Sequence, residues 1–295
     1  DNPLLTCSLE TKDQEKIRRV RVTSYIDGYS AEAIESIELD WAGKKRHDFQ
    51  QLPTLLPRHI NSLNELTRAT LNVKIDDLDG QVEIHKTVPV WLLSRNSGYL
   101  AVKDPTTHQW TDMTRYLGAF VTPNEPSVMA FERKAAEFHP EVHLIGYQGG
   151  AAKVKPQVRA LFDALKDAGI VYVNSWINFH PEDGAASQRV RLPKESLADK
   201  QANCIDGTVL FASLIEGISM NPAIVIVPGH AFVAWETAKN SGKWNYLETT
   251  MVGTATFDEA CLSGENTAAK YKAQGELRQW SLRELRTKYD ITPME

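Results

Sequence analysis

Three side chains in the second half of the chain have the types and the order that thiol-based acyl chemistry requires. Cys204 opens a stretch with helical periodicity, His230 follows the Pro228-Gly229 turn, and Glu248 lies on the next strand. A thiolate attacks an acyl carbon, an imidazole accepts a proton near neutral pH, and a carboxylate orients the imidazole and stabilises its charged form. The order of these residues therefore predicts a Cys–His–Glu catalytic centre.

The helix expected over 204–216 explains why Cys204, rather than Cys7 or Cys261, is the candidate nucleophile. Unpaired N–H groups and the positive dipole end at a helix N-terminus favour the thiolate. A structural cysteine more often lies on the apolar stripe inside a helix, whereas Cys204 precedes that stripe and adjoins the polar Asn203. An inert core cysteine is the alternative interpretation.

The strands predicted at 230–236 and 244–250 are expected to pair as a hairpin across the loop at 237–243. This pairing sets His230 opposite Glu248, within a residue or so, and opposed Cβ atoms in a sheet lie ~4.5–5.5 Å apart. The carboxylate then accepts the second imidazole N–H and fixes the tautomer. A plain strand histidine and a surface carboxylate are the alternative interpretations.

Three short runs surround the candidate residues: Asn203-Cys204-Ile205-Asp206-Gly207, Gly229-His230-Ala231-Phe232-Val233-Ala234-Trp235 and Trp244-Asn245-Tyr246-Leu247-Glu248-Thr249-Thr250. Over about residues 150–260 the sequence resembles the transglutaminase-like cysteine protease superfamily, of bacterial type, which has a papain-like fold. That superfamily has Cys at a helix start, His on the following strand and Asp on the next. The sequence departs from it at Glu248, where Asp is usual, and at Thr249, where Pro is usual.

The resemblance also implies an oxyanion hole, with the backbone N–H of Cys204 as one donor. Gln188 is the first candidate for a second donor, since it precedes the segment that leads into the Cys204 loop, and Gln201 and Asn203 are further candidates. Asp206 is expected to be an early-turn acid that the helix dipole favours, with a catalytic or substrate role as the alternative.

The resemblance implies a cysteine protease that hydrolyses a peptide or amide through a thioester acyl-enzyme. Two alternatives stay open at this point. A protein-glutamine acyltransferase, that is, a transglutaminase, would use an amine in place of water. A non-catalytic scaffold or partner-binding protein would retain the fold, and the change from Asp to Glu at position 248 is the feature that favours it.

In the first third of the chain, apolar and polar residues alternate over short segments that are separated by turn residues. This pattern predicts β-strands. They are expected at 20–26, 34–41, 69–76, 81–93 and 99–102. This pattern predicts a small β-sandwich over residues 1–104, which is interpreted as a structural or partner-binding module. Residues 105–149 are expected to connect it to the catalytic domain and to hold a helix at 127–138.

The second half alternates helical and strand patterns, which completes an α+β fold: an N-terminal small β-sandwich followed by a transglutaminase-like (papain-like) α+β domain over residues 150–295. Helices are predicted from Val154 to Leu165, at 204–216 and at 256–274, the last with an interruption at Gly264. Strands are predicted at 170–179, 223–227, 230–236 and 244–250.

Composition limits the remaining function classes. The formal net charge of -5 and the pI of about 6.0 provide no basic footprint for nucleic acid, and no run of 18 apolar residues suggests a membrane span. No zinc or cofactor motif is present, and three scattered cysteines do not form a disulfide framework. A reducing, cytoplasmic location and a protein or peptide substrate are therefore expected, although a chain that begins at Asp1 leaves a trimmed N-terminus open.

Overall fold

The computed structural model describes residues 4–10, 19–39, 46–80, 83–104, 106–174 and 184–294. The chain divides into two compact units, Asp1–Arg95 and Asn96–Glu295. Residues 105–149, which the sequence predicts to be a connecting segment, lie within the range of the second unit. Each unit combines antiparallel sheets with helical segments, which agrees with the predicted α+β class.

The first unit contains a two-stranded sheet and a four-stranded sheet, both antiparallel, with strand orders β1-β4 and β3-β2-β5-β6. Its elements are β1 (Leu5–Glu10), β2 (Arg19–Ile26), β3 (Ala33–Glu38), β4 (Arg46–Gln51), α1 (Pro57–Ile60), β5 (Thr67–Asp77) and β6 (Glu83–Leu92). Apolar residues of both sheets share one core, in which Leu5 and Phe49 join Val22, Leu71 and Val73. The sandwich arrangement stays a prediction.

The second unit holds the remaining elements, in the order β7 (Ser97–Lys103), β8 (Trp110–Asp112), α2 (Pro126–Ala136), α3 (Val154–Asp167), β9 (Val171–Tyr172), β10 (Ala185–Arg189), α4 (Pro193–Asp199), β11 (Gln201–Ala202), α5 (Cys204–Gly217), β12 (Pro222–Val227), β13 (His230–Glu236), β14 (Trp244–Leu247), α6 (Phe257–Gln274), β15 (Arg278–Ser281) and α7 (Leu282–Thr287). Short 3-10 helices lie at Thr114–Phe120, Ala151–Lys153 and Thr249–Met251.

The central sheet of this unit is antiparallel, with strand order β14-β13-β12-β15. Helix α5 packs on β12 and β13, and every residue from Ile205 to Ile215 is buried. A helix that is apolar on all sides is typical of a core position. The site is therefore built on the most deeply packed helix of the unit, where the surrounding side chains restrict its movement.

Strand β7 corrects one expectation from the sequence. The segment Tyr99–Val102 was predicted to close the N-terminal set of strands, but β7 pairs with β10 and β8 of the second unit. Alternation of apolar residues marks a strand without identifying its partner. The predicted strand at 170–179 is described only as far as residue 174, where Val171–Tyr172 form β9, and the remainder lies outside the described residues.

Gly264 provides a second correction, because α6 continues through it without a break. A Cβ atom at this position would lie 2.8 Å from the backbone nitrogen of Leu247 and 3.1 Å from that of Glu248. The glycine therefore permits close approach of helix and strand, which is a packing role and not a helix-breaking one. It lies directly against the segment that carries Glu248.

Candidate active site

Helix α5 begins at Cys204, and a reciprocal cap fixes its first turn. The Asn203 side chain accepts a hydrogen bond from the Asp206 N–H at 2.8 Å, and the Asp206 carboxylate accepts one from the Asn203 N–H at 3.1 Å. This arrangement leaves the N–H groups of Cys204 and Ile205 without an acceptor among the described residues. The helix thus presents free donors and its positive end at the cysteine.

Asp206 also ties the preceding segment to the helix. Its carboxylate accepts hydrogen bonds from the Arg191 backbone N–H at 2.7 Å and from the Arg191 guanidinium at 2.9 Å. Asp206 is almost completely buried, and burial is the largest influence on the pKa of this carboxyl, which lies above its ordinary value. The expectation of an early-turn acid is met in position, and the carboxylate in addition holds the chain that leads to the cysteine.

His230 is the first residue of β13 and follows a two-residue turn. Val227 and His230 pair across Pro228-Gly229, and Gly229 has a φ of 72°, in the left-handed region that favours glycine. The imidazole stacks on the Phe232 ring, with centroids 6.0 Å apart, and 29% of the side chain remains accessible. Turn and ring together fix the histidine at the end of the sheet.

Glu248 reaches His230 by a route that the sequence did not predict. The hairpin pairs Val233 with Leu247 and Glu236 with Trp244, so its register differs by two residues from the expected one, and β14 ends at Leu247. Glu248 instead caps the following 3-10 helix, with its Oε1 accepting hydrogen bonds from the N–H and hydroxyl of Thr250. Its Oε2 lies 2.7 Å from His230 Nε2.

Cys204 and Glu248 contact His230 together. Hydrogen bonds to Cys204, first, and to Glu248 raise the pKa of His230 to about 10 against the opposing effect of burial. Because Glu248 occupies Nε2, Nδ1 is the ring nitrogen available to the cysteine. Burial would raise the pKa of Glu248, but hydrogen bonds from His230 and Thr250 outweigh it, and the pKa lies below its ordinary value. The imidazolium is therefore the favoured state between these two groups.

The other two cysteines have different surroundings. Cys261 lies inside α6 and is 3% exposed, and burial raises the pKa of its thiol to about 12. Burial also raises the pKa of Cys7, which lies in β1 of the first unit. Thiols with raised pKa values hold little thiolate at neutral pH. Cys204, by contrast, lies beside His230 and raises the pKa of its imidazole.

The oxyanion candidates from the sequence lie at different places. Gln188 belongs to β10 and pairs with Gly98, and Gln201 belongs to β11. Asn203 directly precedes Cys204, and its side-chain oxygen is engaged in the helix cap. Their role at an oxyanion stays a prediction. Tyr172, in β9, pairs with Ala202, two residues before Cys204, and no motif in the sequence marks this tyrosine.

Among the residues that the structure describes, no group of three or more His, Cys, Asp or Glu side chains is arranged to hold a metal ion. Across the same ranges, none of the helices is both long and apolar enough to cross a membrane.

Comparisons with known proteins add little to this geometry. The sequence matches no protein-family model and no curated protein. One matching crystal structure is that of a "Putative Cysteine Protease" from Cytophaga hutchinsonii, with 11% sequence identity over 88% of this chain and 81% of that chain. The TM-score of 0.29 is too low for this likeness to carry weight, so the site rests on its own residues.

Proposed function

We propose that the protein is a thiol-dependent hydrolase of the cysteine protease type, with Cys204 as nucleophile, His230 as acid and base, and Glu248 as the residue that orients His230. The observation that carries this proposal is the position of one imidazole, whose Nε2 lies 2.7 Å from the Glu248 carboxylate and whose pKa the neighbouring Cys204 side chain raises. Nucleophile, base and orienting group within hydrogen-bond reach are the signature of covalent catalysis.

The proposed reaction proceeds through proton transfers to and from His230. His230 takes the thiol proton, and the Cys204 sulfur attacks the carbonyl carbon of an amide, which forms a tetrahedral intermediate. The intermediate collapses with cleavage of the C–N bond, and His230 gives its proton to the departing amine. Water then attacks the thioester carbon while His230 accepts a proton from it, the C–S bond breaks to release the carboxylic acid, and His230 returns the proton to the Cys204 sulfur. The raised pKa of His230 favours its protonated form during the first collapse.

Hydrolysis and acyl transfer differ only in the group that attacks the thioester. Cys204 is half-buried, and 29% of the His230 side chain is accessible, so water has access to the pair. We therefore favour water as the acceptor and a peptide or other amide as the substrate.

Trapping of the acyl-enzyme tests the proposal. The protein is mixed with p-nitrophenyl acetate near pH 7, quenched in acid and mapped by mass spectrometry. We expect acetylation at Cys204, release of more than one equivalent of p-nitrophenolate as the thioester hydrolyses, and loss of both in Cys204→Ala. Cys261→Ala is the matched control and should behave as the native protein does.

Two results would contradict the proposal. Acetylation that is spread equally over the cysteines would exclude Cys204 as a special nucleophile. Acetyl-Cys204 that persists in water but transfers rapidly to an added primary amine would instead identify an acyltransferase.

A further inference from the structure

The strand β9 places an exposed tyrosine beside the segment that leads to Cys204. Tyr172 pairs with Ala202 in a parallel two-stranded sheet, and Ala202 is separated from Cys204 by a single residue. Adjacent strands are ~4.8 Å apart. Tyr172 is 47% exposed, so its ring is not packed into the core.

The turn that follows Glu248 packs against β9. A Cβ atom on Gly253 would lie 3.3 Å from the Ile170 carbonyl oxygen and 3.8 Å from the Val171 Cα atom. On the same turn, Thr249 lies against Gly207 in the first turns of α5, where a Cβ atom would be 3.2 Å from the Thr249 Cβ atom. Strand β9, the start of α5 and the turn after Glu248 therefore lie against one another, next to the segment that leads into Cys204.

The electrostatic surroundings of the phenol agree with this placement. Burial and the nearby negative charges of Cys204 and Glu248 raise the pKa of Tyr172 above its ordinary value. All three influences favour the neutral phenol, so Tyr172 remains an O–H donor at the pH values at which a thiolate attacks. A neutral O–H donor beside a nucleophile can stabilise the negative charge that develops on a substrate oxygen by donating a hydrogen bond to it.

We propose that the Tyr172 hydroxyl is a catalytic residue that donates a hydrogen bond to the oxyanion of the tetrahedral intermediate, together with the free backbone N–H of Cys204. The assignment rests on the proposed function, because an oxyanion forms only if Cys204 attacks a carbonyl carbon. When the C–S bond forms, the carbonyl π electrons move to the oxygen, and the two donors stabilise that charge without transferring a proton. On collapse the electrons return, and the C–N or C–O bond to the leaving group breaks.

Two reactions of the same sulfur isolate this role. Acylation by p-nitrophenyl acetate passes through a tetrahedral oxyanion, whereas alkylation by iodoacetamide displaces iodide directly and forms none. Loss of one oxyanion donor typically lowers acyl-transfer rates by ~10²–10³-fold. In Tyr172→Phe we therefore expect acylation of Cys204 to slow by at least about 10-fold while its alkylation stays within about twofold of the native rate. The ratio of the two rates is the readout.

Tyr116→Phe is the matched control, because Tyr116 is a similarly exposed tyrosine of the same unit, 41% accessible, outside the site. Its ratio should equal that of the native protein. An unchanged ratio in Tyr172→Phe would overturn the assignment, and so would an equal fall of both rates, which would mean that the phenol acts on the thiolate or on folding. If native Cys204 is not acylated at all, the proposed function fails first, and the assignment fails with it.

Discussion

The two ends of helix α5 both lie against an ionisable group with a shifted pKa, but for different reasons. At the N-terminal end, hydrogen bonds to Cys204 and Glu248 raise the pKa of His230 to about 10. At the C-terminal end, Glu132 of α2 packs on Gly217, where a Cβ atom would lie 2.9 Å from its carboxyl carbon. Burial raises the pKa of Glu132 to about 7.

The difference lies in the partners. His230 has a partner for its charged form on each side, whereas Glu132 Oε1 is buried without a hydrogen bond among the described residues. A carboxylate also meets the negative end of the helix dipole at this position. A shifted pKa thus indicates function when specific partners cause it, and a cost in stability when desolvation alone does.

The largest expected effect is at the N-terminal end of α5, in His230→Gln. This variant retains a polar side chain but removes the proton acceptor, and general-base catalysis contributes ~10²–10⁴-fold. Acylation of Cys204 by p-nitrophenyl acetate at pH 7 should fall by a factor in that range. His143→Gln is the control, since His143 pairs with Glu141 on the surface. A loss below about threefold would contradict the role of His230.

Glu248 variants should show a smaller effect that depends on side-chain length. Glu248→Gln keeps the length and removes the charge, and a loss of ~10–100-fold in acylation is expected because the imidazolium loses its orienting partner. Glu248→Asp keeps the charge but is shorter than the reach that the 2.7 Å contact needs, so an intermediate loss is expected. If Glu248→Asp is as active as the native protein, the longer side chain of glutamate is not needed to reach His230.

Gly264→Ala tests whether close packing of α6 against the backbone of Glu248 holds that residue in place. The new methyl group would contact the backbone of Leu247 and Glu248, and overpacking of this kind costs ~1–3 kcal/mol. A lower free energy of unfolding in denaturant, with a reduced acylation rate, is the expected result. Glu265→Ala changes an exposed neighbour on α6 and should leave both quantities close to native. A stabilised Gly264→Ala variant would mean that helix propensity outweighs the contact.

The last prediction concerns the C-terminal end of α5, where a substitution is expected to raise the free energy of unfolding and to leave acylation unchanged. The folded pKa of Glu132, about 7, exceeds its ordinary value of 4.5, so the folded state binds more protons between these pH values and native stability falls as pH rises through that window. Glu132→Gln removes this loss, and above pH 7 it should be more stable than the native protein by at least about 1 kcal/mol, since one pKa unit corresponds to about 1.4 kcal/mol. Urea unfolding at pH 4.5 and 7.5 measures the change. If the variant and the native protein differ in free energy of unfolding by the same amount at both pH values, the raised pKa of Glu132 is contradicted.

The sequence predicted the elements that begin at Cys204 and His230 better than the path of the chain to Glu248. A helix start at Cys204 and a strand start at His230 follow from local periodicity and from Pro228-Gly229, and both are present. The hairpin register was wrong because the strand ends at Leu247 and a short helical turn, rather than a direct pairing, aims Glu248 at the imidazole.

Features that depend on long-range contacts were not accessible from the sequence. Gly264 was interpreted as a break because its role depends on a neighbouring strand. The partners of β7 and the position of Tyr172 beside Ala202 are set by pairing between segments that lie far apart in the chain. Periodicity describes one segment at a time and does not contain this information.

The most direct test compares the three cysteines within one molecule. Native protein is treated with iodoacetamide at about pH 6, and the rate of alkylation at each cysteine is followed by mass spectrometry. We expect Cys204 to react at least ~100-fold faster than Cys7 and Cys261, because it is the cysteine that lies at a helix N-terminus beside His230, and we expect His230→Ala to abolish the difference. Slow labelling of all three at similar rates would contradict the account.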